Sequence, residues 1–139
     1  MLEAGYSTTP LPKKLGLKDG QAVCFINLPE SLRWLTEAAQ FIDLTDTPEP
    51  GGELDAVHLF VMSRDQLGTL LPQARLAMAQ AGMIWVSWPK KASKVETDMS
   101  EDAVREAAFP LDLVDVKVCA VDDIWSGLKL VIRKEKRKS

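Results

Sequence analysis

The sequence predicts an α/β domain of three layers, with a mostly parallel sheet of about six strands packed between helices. Three observations lead to this fold class. Short, almost continuous apolar runs recur along the chain, as expected for strands covered on both faces. Segments with helical spacing separate these runs, which is typical of parallel sheets with right-handed crossovers. The length of 139 residues, with 46% hydrophobic and 27% charged residues, suits one globular domain.

The first part of the chain predicts a strand, a helix and a second strand. Residues 21–28 (QAVCFINL) form the first apolar run, and Pro29 suits the first position of the helix that follows. The apolar side of this helix would consist of Leu32, Leu35 and Ala39. Residues 41–44 (FIDL) predict the second strand. Residues 45–53, with two prolines and paired glycines, predict a loop.

The middle of the chain predicts a third strand and a long helix. Residues 55–62 (DAVHLFVM) form the strand. Ser63 and Gln66 have the spacing of a capping box, so the helix begins there. Pro72 is expected to kink this helix or to begin a second one, and Gly82 is expected to end it.

The last part predicts two further strand regions and a short helix. Residues 83–88 (MIWVSW) form the fourth strand, followed by a basic loop over residues 89–97 (PKKASKVET). Ser100 is the expected cap of the next helix. Residues 113–121 and 128–133 are rich in β-branched and other apolar residues, and the short polar link between them predicts an antiparallel hairpin.

This order of elements resembles the later part of the class I methyltransferase fold, a Rossmann-like sheet that ends in such a hairpin. The resemblance implies the strand order 2-1-3-4-6-5. A second likeness is carried by four segments: residues 4–11 (AGYSTTPL), 88–93 (WPKKAS), 116–122 (VKVCAVD) and 125–129 (WSGLK). Through them the chain from Gly5 to Lys134 resembles a bacterial family called domain of unknown function 3052. That resemblance implies no established activity.

Both cysteines are predicted to be free and structural. Cys24 and Cys119 lie in apolar runs, where cysteine behaves as a small buried hydrophobic residue. In the implied strand order they are four strand steps apart, about 19 Å at ~4.8 Å per step. A disulfide requires Cα atoms within about 7 Å, so an intrachain bridge is excluded on this fold. Their separation also does not match metal-ligand spacing, and we expect no metal site.

The turn after the first strand argues against a common cofactor. A dinucleotide or S-adenosylmethionine site in such folds has a glycine-rich turn there, because the backbone approaches the ligand closely. This chain has Asn27-Leu28-Pro29-Glu30 instead, in which Pro29 lacks an N–H donor and Glu30 adds negative charge. We therefore predict no cofactor. If the chain is a methyltransferase, Asp43, expected at the end of the second strand, would bind the ribose hydroxyls.

No catalytic residue is predicted. His58, the single histidine, falls in mid-strand, away from the carboxyl ends of strands where α/β sheets bind ligands. A hydrogen-bonded core histidine is the better interpretation. Asp122 and Asp123 are expected to form a turn. Trp85 is expected in the core, and Trp34 on its helix or at the helix edge.

A candidate anion site follows from the topology. The fourth and fifth strands run parallel, so the loops after them meet at one edge of the sheet, together with the residue after the third strand. Seven residues are expected to converge there: Arg64, Lys90, Lys91, Ser93, Lys94, Trp125 and Ser126. Trp88 or Trp125 is expected to form the rim of this site. Long basic side chains that merely solvate loops are the alternative interpretation.

The charge distribution divides the chain into a domain, residues 1–132, and a basic tail, residues 133–139. The formal net charge is −3, and the tail holds five bases and one acid, so the domain alone is close to −7. We expect the tail to be solvated and dispensable for folding. A nucleic-acid partner is not favoured, because such proteins normally have a basic face as well. The polar first twelve residues and the absence of a long apolar run predict a cytoplasmic protein that does not enter membranes.

The leading functional prediction is therefore a non-catalytic binding or regulatory module that takes a small anionic ligand. One alternative is a divergent S-adenosylmethionine-dependent methyltransferase or another transferase. The other alternative is an interaction module that docks on a protein or nucleic acid through the basic tail. The sequence leaves the oligomeric state open.

Overall fold

The computed structural model describes residues 9–138, which contain one six-stranded sheet. The strands are β1 (Ala22–Ile26), β2 (Asp43–Thr45), β3 (Leu54–Phe60), β4 (Met78–Pro89), β5 (Leu113–Ala120) and β6 (Trp125–Ile132). Their order is β2-β1-β3-β4-β6-β5, and β1 to β4 are parallel while β6 runs antiparallel between β4 and β5. The predicted fold class and strand order are confirmed. Residues 4–8 of the segment 4–11 and residue 139 of the tail lie outside the described residues.

Helices cover both faces of the sheet. The α-helices are α1 (Leu11–Lys14), α2 (Arg64–Ala77) and α3 (Glu101–Ala108), and the 3-10 helices are η1 (Glu30–Glu37), η2 (Lys91–Ser93), η3 (Phe109–Leu111) and η4 (Lys134–Lys136). The apolar sides of α2 and α3 pack on one face of the sheet. The other face is covered by η1 and by Leu15 and Leu17, which follow α1. Within residues 9–138 no helix combines the length and the apolar character needed to cross a membrane.

The two predicted helix caps are confirmed. Ser63 Oγ accepts a hydrogen bond from the Gln66 N–H at 3.1 Å, and Ser100 Oγ accepts one from the Ala103 N–H at 3.1 Å. Each hydroxyl satisfies a backbone donor that has no partner inside its helix. These caps fix where α2 and α3 begin.

The predicted end of the long helix is wrong. Pro72 lies inside α2, which ends at Ala77, and Gly82 belongs to β4 instead of ending the helix. A Cβ atom on Gly82 would lie 2.8 Å from the carbonyl oxygen of Leu54. The glycine is needed for close approach of two strands where the β3–β4 register shifts.

The second strand begins later than predicted, and this moves Asp43. The apolar pair Phe41 and Ile42 precedes β2. Phe41 packs against the core on the sheet face that η1 covers, and Ile42 is 75% exposed. Asp43 is the first residue of β2 and pairs with Ala22 at the start of β1. It therefore lies at the amino end of the strand, and the acid that follows the carboxyl end is Asp46.

The basic tail is solvated but makes a few contacts with the domain. Arg133 Nη2 donates to Asp112 Oδ1 at 2.9 Å, and Arg137 Nε donates to the Ile132 carbonyl at 2.8 Å. The Lys138 N–H donates to Gln80 Oε1 at 2.9 Å. Residues 134–138 are all exposed, as expected of a solvated tail, and its dispensability for folding stays a prediction.

Both cysteines have the predicted state. Cys24 and Cys119 are buried free thiols, on strands separated by β3, β4 and β6. Burial raises the pKa of each thiol above its ordinary value. They pack as small apolar side chains.

Candidate functional site

A cavity of about 550 Å³ opens at the carboxyl edge of β1 and β2. We call it the β1–β2 cavity, and its lining residues are Phe25, Asn27, Leu28, Arg33, Thr36, Leu44, Thr45 and Asp46. β2 lies on one side of β1 and β3 on the other, so the order of the strands reverses direction at β1. Open α/β sheets bind their ligands outside the carboxyl ends of strands at such a reversal of strand order.

The floor of this cavity is formed by the turn after β1. Asn27 has a left-handed backbone with φ of 59°, a conformation that asparagine tolerates better than most residues. Its side-chain Nδ2 donates to the Phe60 carbonyl at 3.4 Å, which ties the end of β1 to the end of β3. Asn27 thus provides the reversal of chain direction for which such folds often use glycine.

One wall of the cavity comes from η1, whose 3-10 geometry matches its sequence. Side chains three residues apart lie above one another in a 3-10 helix. Leu32 and Leu35 have this spacing and are both buried against the sheet. Arg33 and Thr36 have the same spacing and line the cavity. The same helix therefore closes the core and presents the Arg33 cation to the cavity. The Thr36 hydroxyl donates to the Arg33 carbonyl at 2.7 Å, so only its acceptor positions are left for a ligand.

The opposite wall comes from the end of β2. Thr45 pairs with Cys24 of β1, and Asp46 follows directly and is exposed to solvent. Asp46 comes nineteen residues after Asn27. In dinucleotide-binding sheets an acid about 20 residues after the first turn accepts hydrogen bonds from ribose hydroxyls. Asp46, and not Asp43, occupies that position.

The lining of the β1–β2 cavity combines charges, hydroxyl groups and apolar surface. Arg33 supplies a guanidinium, Asp46 a carboxylate and Asn27 an amide. Among residues 9–138, Arg33 forms no ion pair within 4.0 Å, so its charge is free for a ligand. Five of the eight lining residues are polar, so a ligand would be held mainly by hydrogen bonds and charge, with the apolar residues adding contact surface.

The predicted anion site is assembled only in part. The Lys90 N–H donates to the Ile124 carbonyl at 2.8 Å, and Pro89 pairs with Trp125 across β4 and β6. Asp122 Oδ1 accepts hydrogen bonds from the N–H groups of both Ile124 and Trp125, as expected of a turn former. The loop after β4 and the β5–β6 turn therefore meet as predicted.

Arg64 faces a different neighbour. Its Nε donates to the Asp98 carbonyl at 3.2 Å, and its Nη1 lies 3.7 Å from Glu106 Oε1. This follows from the packing of α2 beside α3, which brings acidic groups to the start of α2. The positive charge of Arg64 is directed to these groups.

Three other predicted members have structural roles. Trp88 is 6% exposed and packs in the core, because β4 is covered on both faces, so it does not form a rim. Ser93 Oγ donates to the Lys90 carbonyl at 2.7 Å and accepts from the Val95 N–H, which holds the loop. Ser126 pairs with Trp88 and with Ala120 in the sheet. Anion binding by Lys90 and Lys91 stays a prediction.

His58 is a core residue, as predicted. Its Nε2 lies 2.7 Å from Ser87 Oγ, and both side chains are buried. Burial lowers the pKa of His58 to about 3, so the ring is neutral at physiological pH. The ring stacks on Phe60 with 4.3 Å between centroids. Trp85 is also in the core as predicted, whereas Trp34 is 51% exposed on η1.

No family model and no curated protein matches the chain, so membership of domain of unknown function 3052 stays a prediction. Solved structures do match. A methyltransferase from Aquifex aeolicus, dependent on S-adenosylmethionine, is 13% identical over 86% of each chain, with a TM-score of 0.62. Magnesium protoporphyrin IX methyltransferase from Synechocystis, solved with bound S-adenosylmethionine, is 12% identical over 84% of this chain and 71% of that one, with a TM-score of 0.58.

A third match is fibrillarin from Aeropyrum pernix in complex with S-adenosylmethionine, 14% identical over 87% of this chain and 73% of that one, with a TM-score of 0.53. The chain has a methyltransferase-like fold. Identities this low show the fold alone. The methyltransferase-like resemblance stated from the order of elements is thereby confirmed, and the β1–β2 cavity lies at the carboxyl edge of this fold.

None of the eight residues that line the cavity was among the predicted site residues. The polar residues Arg33, Thr36 and Asp46 are the most important of those that were missed. Arg33 and Thr36 share one side of the helix in either helical period. They were missed because the sequence does not show that this side of η1 faces the cavity. Asp46 lies within residues 45–53, which the sequence predicts only as a loop. An acid about 20 residues after the first turn is the signal that could have found it.

Proposed function

We propose that the protein binds S-adenosylmethionine, or a ligand of the same chemical class, in the β1–β2 cavity and acts as a divergent methyltransferase. The observation that carries the proposal is the mixed polar lining of this cavity, with Asp46 directly after β2. When bound, S-adenosylmethionine supplies a methyl group from its sulfonium to a nucleophile on an acceptor. The residues of the chain hold the donor and orient it.

The groups of the cavity are complementary to those of the ligand. Asp46 can accept hydrogen bonds from the two ribose hydroxyls, since an ionised carboxylate has several acceptor positions. Arg33 can pair with the carboxylate of the methionine part through two parallel hydrogen bonds. Leu28 and Leu44 offer apolar surface to the adenine, whereas Phe25 is buried in the core beneath them. Each part of the ligand thus finds a partner of the right chemistry.

The turn Asn27-Leu28-Pro29 disfavours dinucleotides more than it disfavours S-adenosylmethionine. Glycine turns hold a pyrophosphate by bringing backbone N–H groups close to it. S-adenosylmethionine has no phosphate, so the N–H group that Pro29 lacks is not required. Asn27 already has the left-handed backbone that the turn needs. The absence of glycines therefore argues against dinucleotides as ligands but does not exclude S-adenosylmethionine.

The direct test is calorimetric titration with S-adenosylmethionine and with S-adenosylhomocysteine. We expect saturable binding by the wild type, and at least tenfold weaker binding by Asp46→Asn, since a hydrogen bond to a charged group contributes about 1.5–3 kcal/mol. Asp43→Asn is the matched control, because it makes the same change at the other end of the same strand. No saturable binding at millimolar ligand, or equal losses in both variants, would contradict the proposal.

A non-catalytic anion-binding module remains the second candidate. It is favoured by the loop after β4, whose lysines Lys90, Lys91 and Lys94 form no ion pair within residues 9–138. Thermal scans with phosphate, sulfate, nucleotides and carboxylates at fixed ionic strength test it. Selective stabilisation of the wild type that is lost in the double variant Lys90→Ala/Lys91→Ala would support this function. Equal stabilisation of the wild type and the double variant would contradict it.

A further inference from the structure

The basic tail carries a concentrated positive charge. Residues 133–138 contain five bases and one acid. Arg133 pairs with Asp112, but the side chains of Lys134, Lys136, Arg137 and Lys138 form no ion pair within residues 9–138. All four are exposed; Arg137 Nε donates to the Ile132 carbonyl, and the Lys138 N–H donates to Gln80 Oε1. The side chains of Lys134, Lys136 and Lys138 are therefore open to an anion.

An exposed aromatic ring lies beside this charge. Phe109 is 67% exposed, although a phenylalanine of a soluble domain normally gains by burial. The Arg133 guanidinium carbon lies 5.1 Å from the centroid of the Phe109 ring, in a cation–π contact. A cavity of about 310 Å³ adjoins both side chains and is also lined by Val114.

The ring and the charge come from parts of the chain that are distant in sequence. Phe109 follows α3, whereas the tail follows β6. The contact of Arg133 with Phe109 and Asp112 places the first residue of the tail beside the ring. The sequence argues against a nucleic-acid partner because it shows no basic face beside the tail. It does not show that Phe109 lies next to Arg133. We call Phe109 with residues 133–138 the tail surface.

We propose that the tail surface binds single-stranded nucleic acid. Proteins that bind single strands without strict sequence preference combine basic groups along the phosphates with aromatic rings on which bases stack. Phe109 offers the ring and the tail offers the basic groups. A purely acidic protein partner would use the charge but would have no need of an exposed ring next to it.

The tail surface is independent of the function proposed for the β1–β2 cavity. β6 begins at the carboxyl edge, where Trp125 pairs with Pro89, and ends at Ile132 at the amino edge. The tail therefore lies at the end of the sheet opposite to the cavity. Loss of binding at one site leaves the other unchanged.

The test is fluorescence anisotropy of a labelled single-stranded oligonucleotide of about 12 nucleotides, titrated with the full chain over a range of salt. We expect binding that weakens steeply with salt. Lys134→Gln/Lys136→Gln should weaken it several-fold and reduce the slope of log K against log salt by about 1.4, at ~0.7 for each phosphate contact. Phe109→Leu should weaken it at least about fivefold with little change in slope, because base stacking is lost.

The matched control is Lys13→Gln/Lys14→Gln in α1, which removes the same charge on the opposite face of the sheet and should leave binding unchanged. An equal loss in this control would overturn the proposal, since the binding would then follow only the total charge. Absence of binding at about 50 mM salt would also overturn it. Displacement by poly-glutamate as effective as that by unlabelled oligonucleotide would point to an acidic protein partner instead.

Discussion

The β1–β2 cavity and the loop after β4 lie at the same edge of one sheet, yet they use their polar groups differently. In the cavity, Arg33 and Asp46 line a space that a ligand can enter. In the loop, the Ser93 hydroxyl and the Lys90 backbone hold the loop itself and the neighbouring turn. Position at the carboxyl edge is therefore not sufficient for a binding site. What matters is whether polar side chains are left free around a concave space.

The largest effect should come from the residue that holds the cavity wall on the core. Leu35 is fully buried beneath η1, so Leu35→Ala should lower the free energy of unfolding by about 2–5 kcal/mol. Ile124→Ala, beside the lysine loop, removes a side chain that is 41% exposed and should cost about 1 kcal/mol or less. Urea unfolding of both variants measures the difference. Similar losses would show that η1 does not depend on this anchor.

The second-largest effect is a pH dependence of stability that arises from His58. This residue of β3 contacts Ser87 of β4 in the core. Burial lowers the pKa of His58 to about 3, whereas the unfolded chain takes up the proton near pH 6.5. Stability contributed by the neutral ring is therefore lost as the pH falls below about 6.5, at roughly 1.4 kcal/mol per pH unit, and the loss ends near pH 3.

This pH dependence is isolated by comparing the wild type with His58→Gln, whose side chain can still bond to Ser87 but does not titrate. We expect the free energy of unfolding of the wild type to fall by about 2–3 kcal/mol more than that of the variant between pH 6.5 and 4.5. Urea unfolding at each pH provides the measurement. Parallel pH profiles would mean that the pKa of His58 is the same in the folded and the unfolded chain, which would contradict its burial as a neutral ring.

A smaller effect should come from the turn that supports the lysine loop. Asp122 Oδ1 accepts hydrogen bonds from two backbone N–H groups, so Asp122→Ala should cost about 0.5–2 kcal/mol. Asp123→Ala is the matched control: Asp123 is exposed and makes neither bond, and the change should be nearly neutral. If the two variants unfold at the same urea concentration, the turn does not depend on this cap.

The sheet could be predicted from the sequence because apolar runs mark strands that are covered on both faces. The end of α2 could not, because apolar residues continue past Ala77 into β4 without a break in composition. The start of β2 was misplaced for a related reason. Phe41 and Ile42 are apolar, but hydrogen bonding to β1 begins only at Asp43.

The candidate site was harder to predict than the fold. Topology correctly brought Lys90 close to Trp125, since parallel strands end at one edge. It could not show that Arg64 faces acidic groups or that Trp88 is buried, because both depend on how neighbouring elements pack. Asp46 was missed because its role depends on where β2 ends.

The most direct test of the account is a ¹H–¹⁵N NMR titration of the full chain with S-adenosylhomocysteine. We expect chemical-shift changes concentrated at the amides of Asn27, Thr36, Thr45 and Asp46, which surround the β1–β2 cavity. The amides of residues 90–94 at the same sheet edge should stay unchanged. Changes confined to residues 90–94, or no changes at millimolar ligand, would contradict the claim that the cavity is the ligand site.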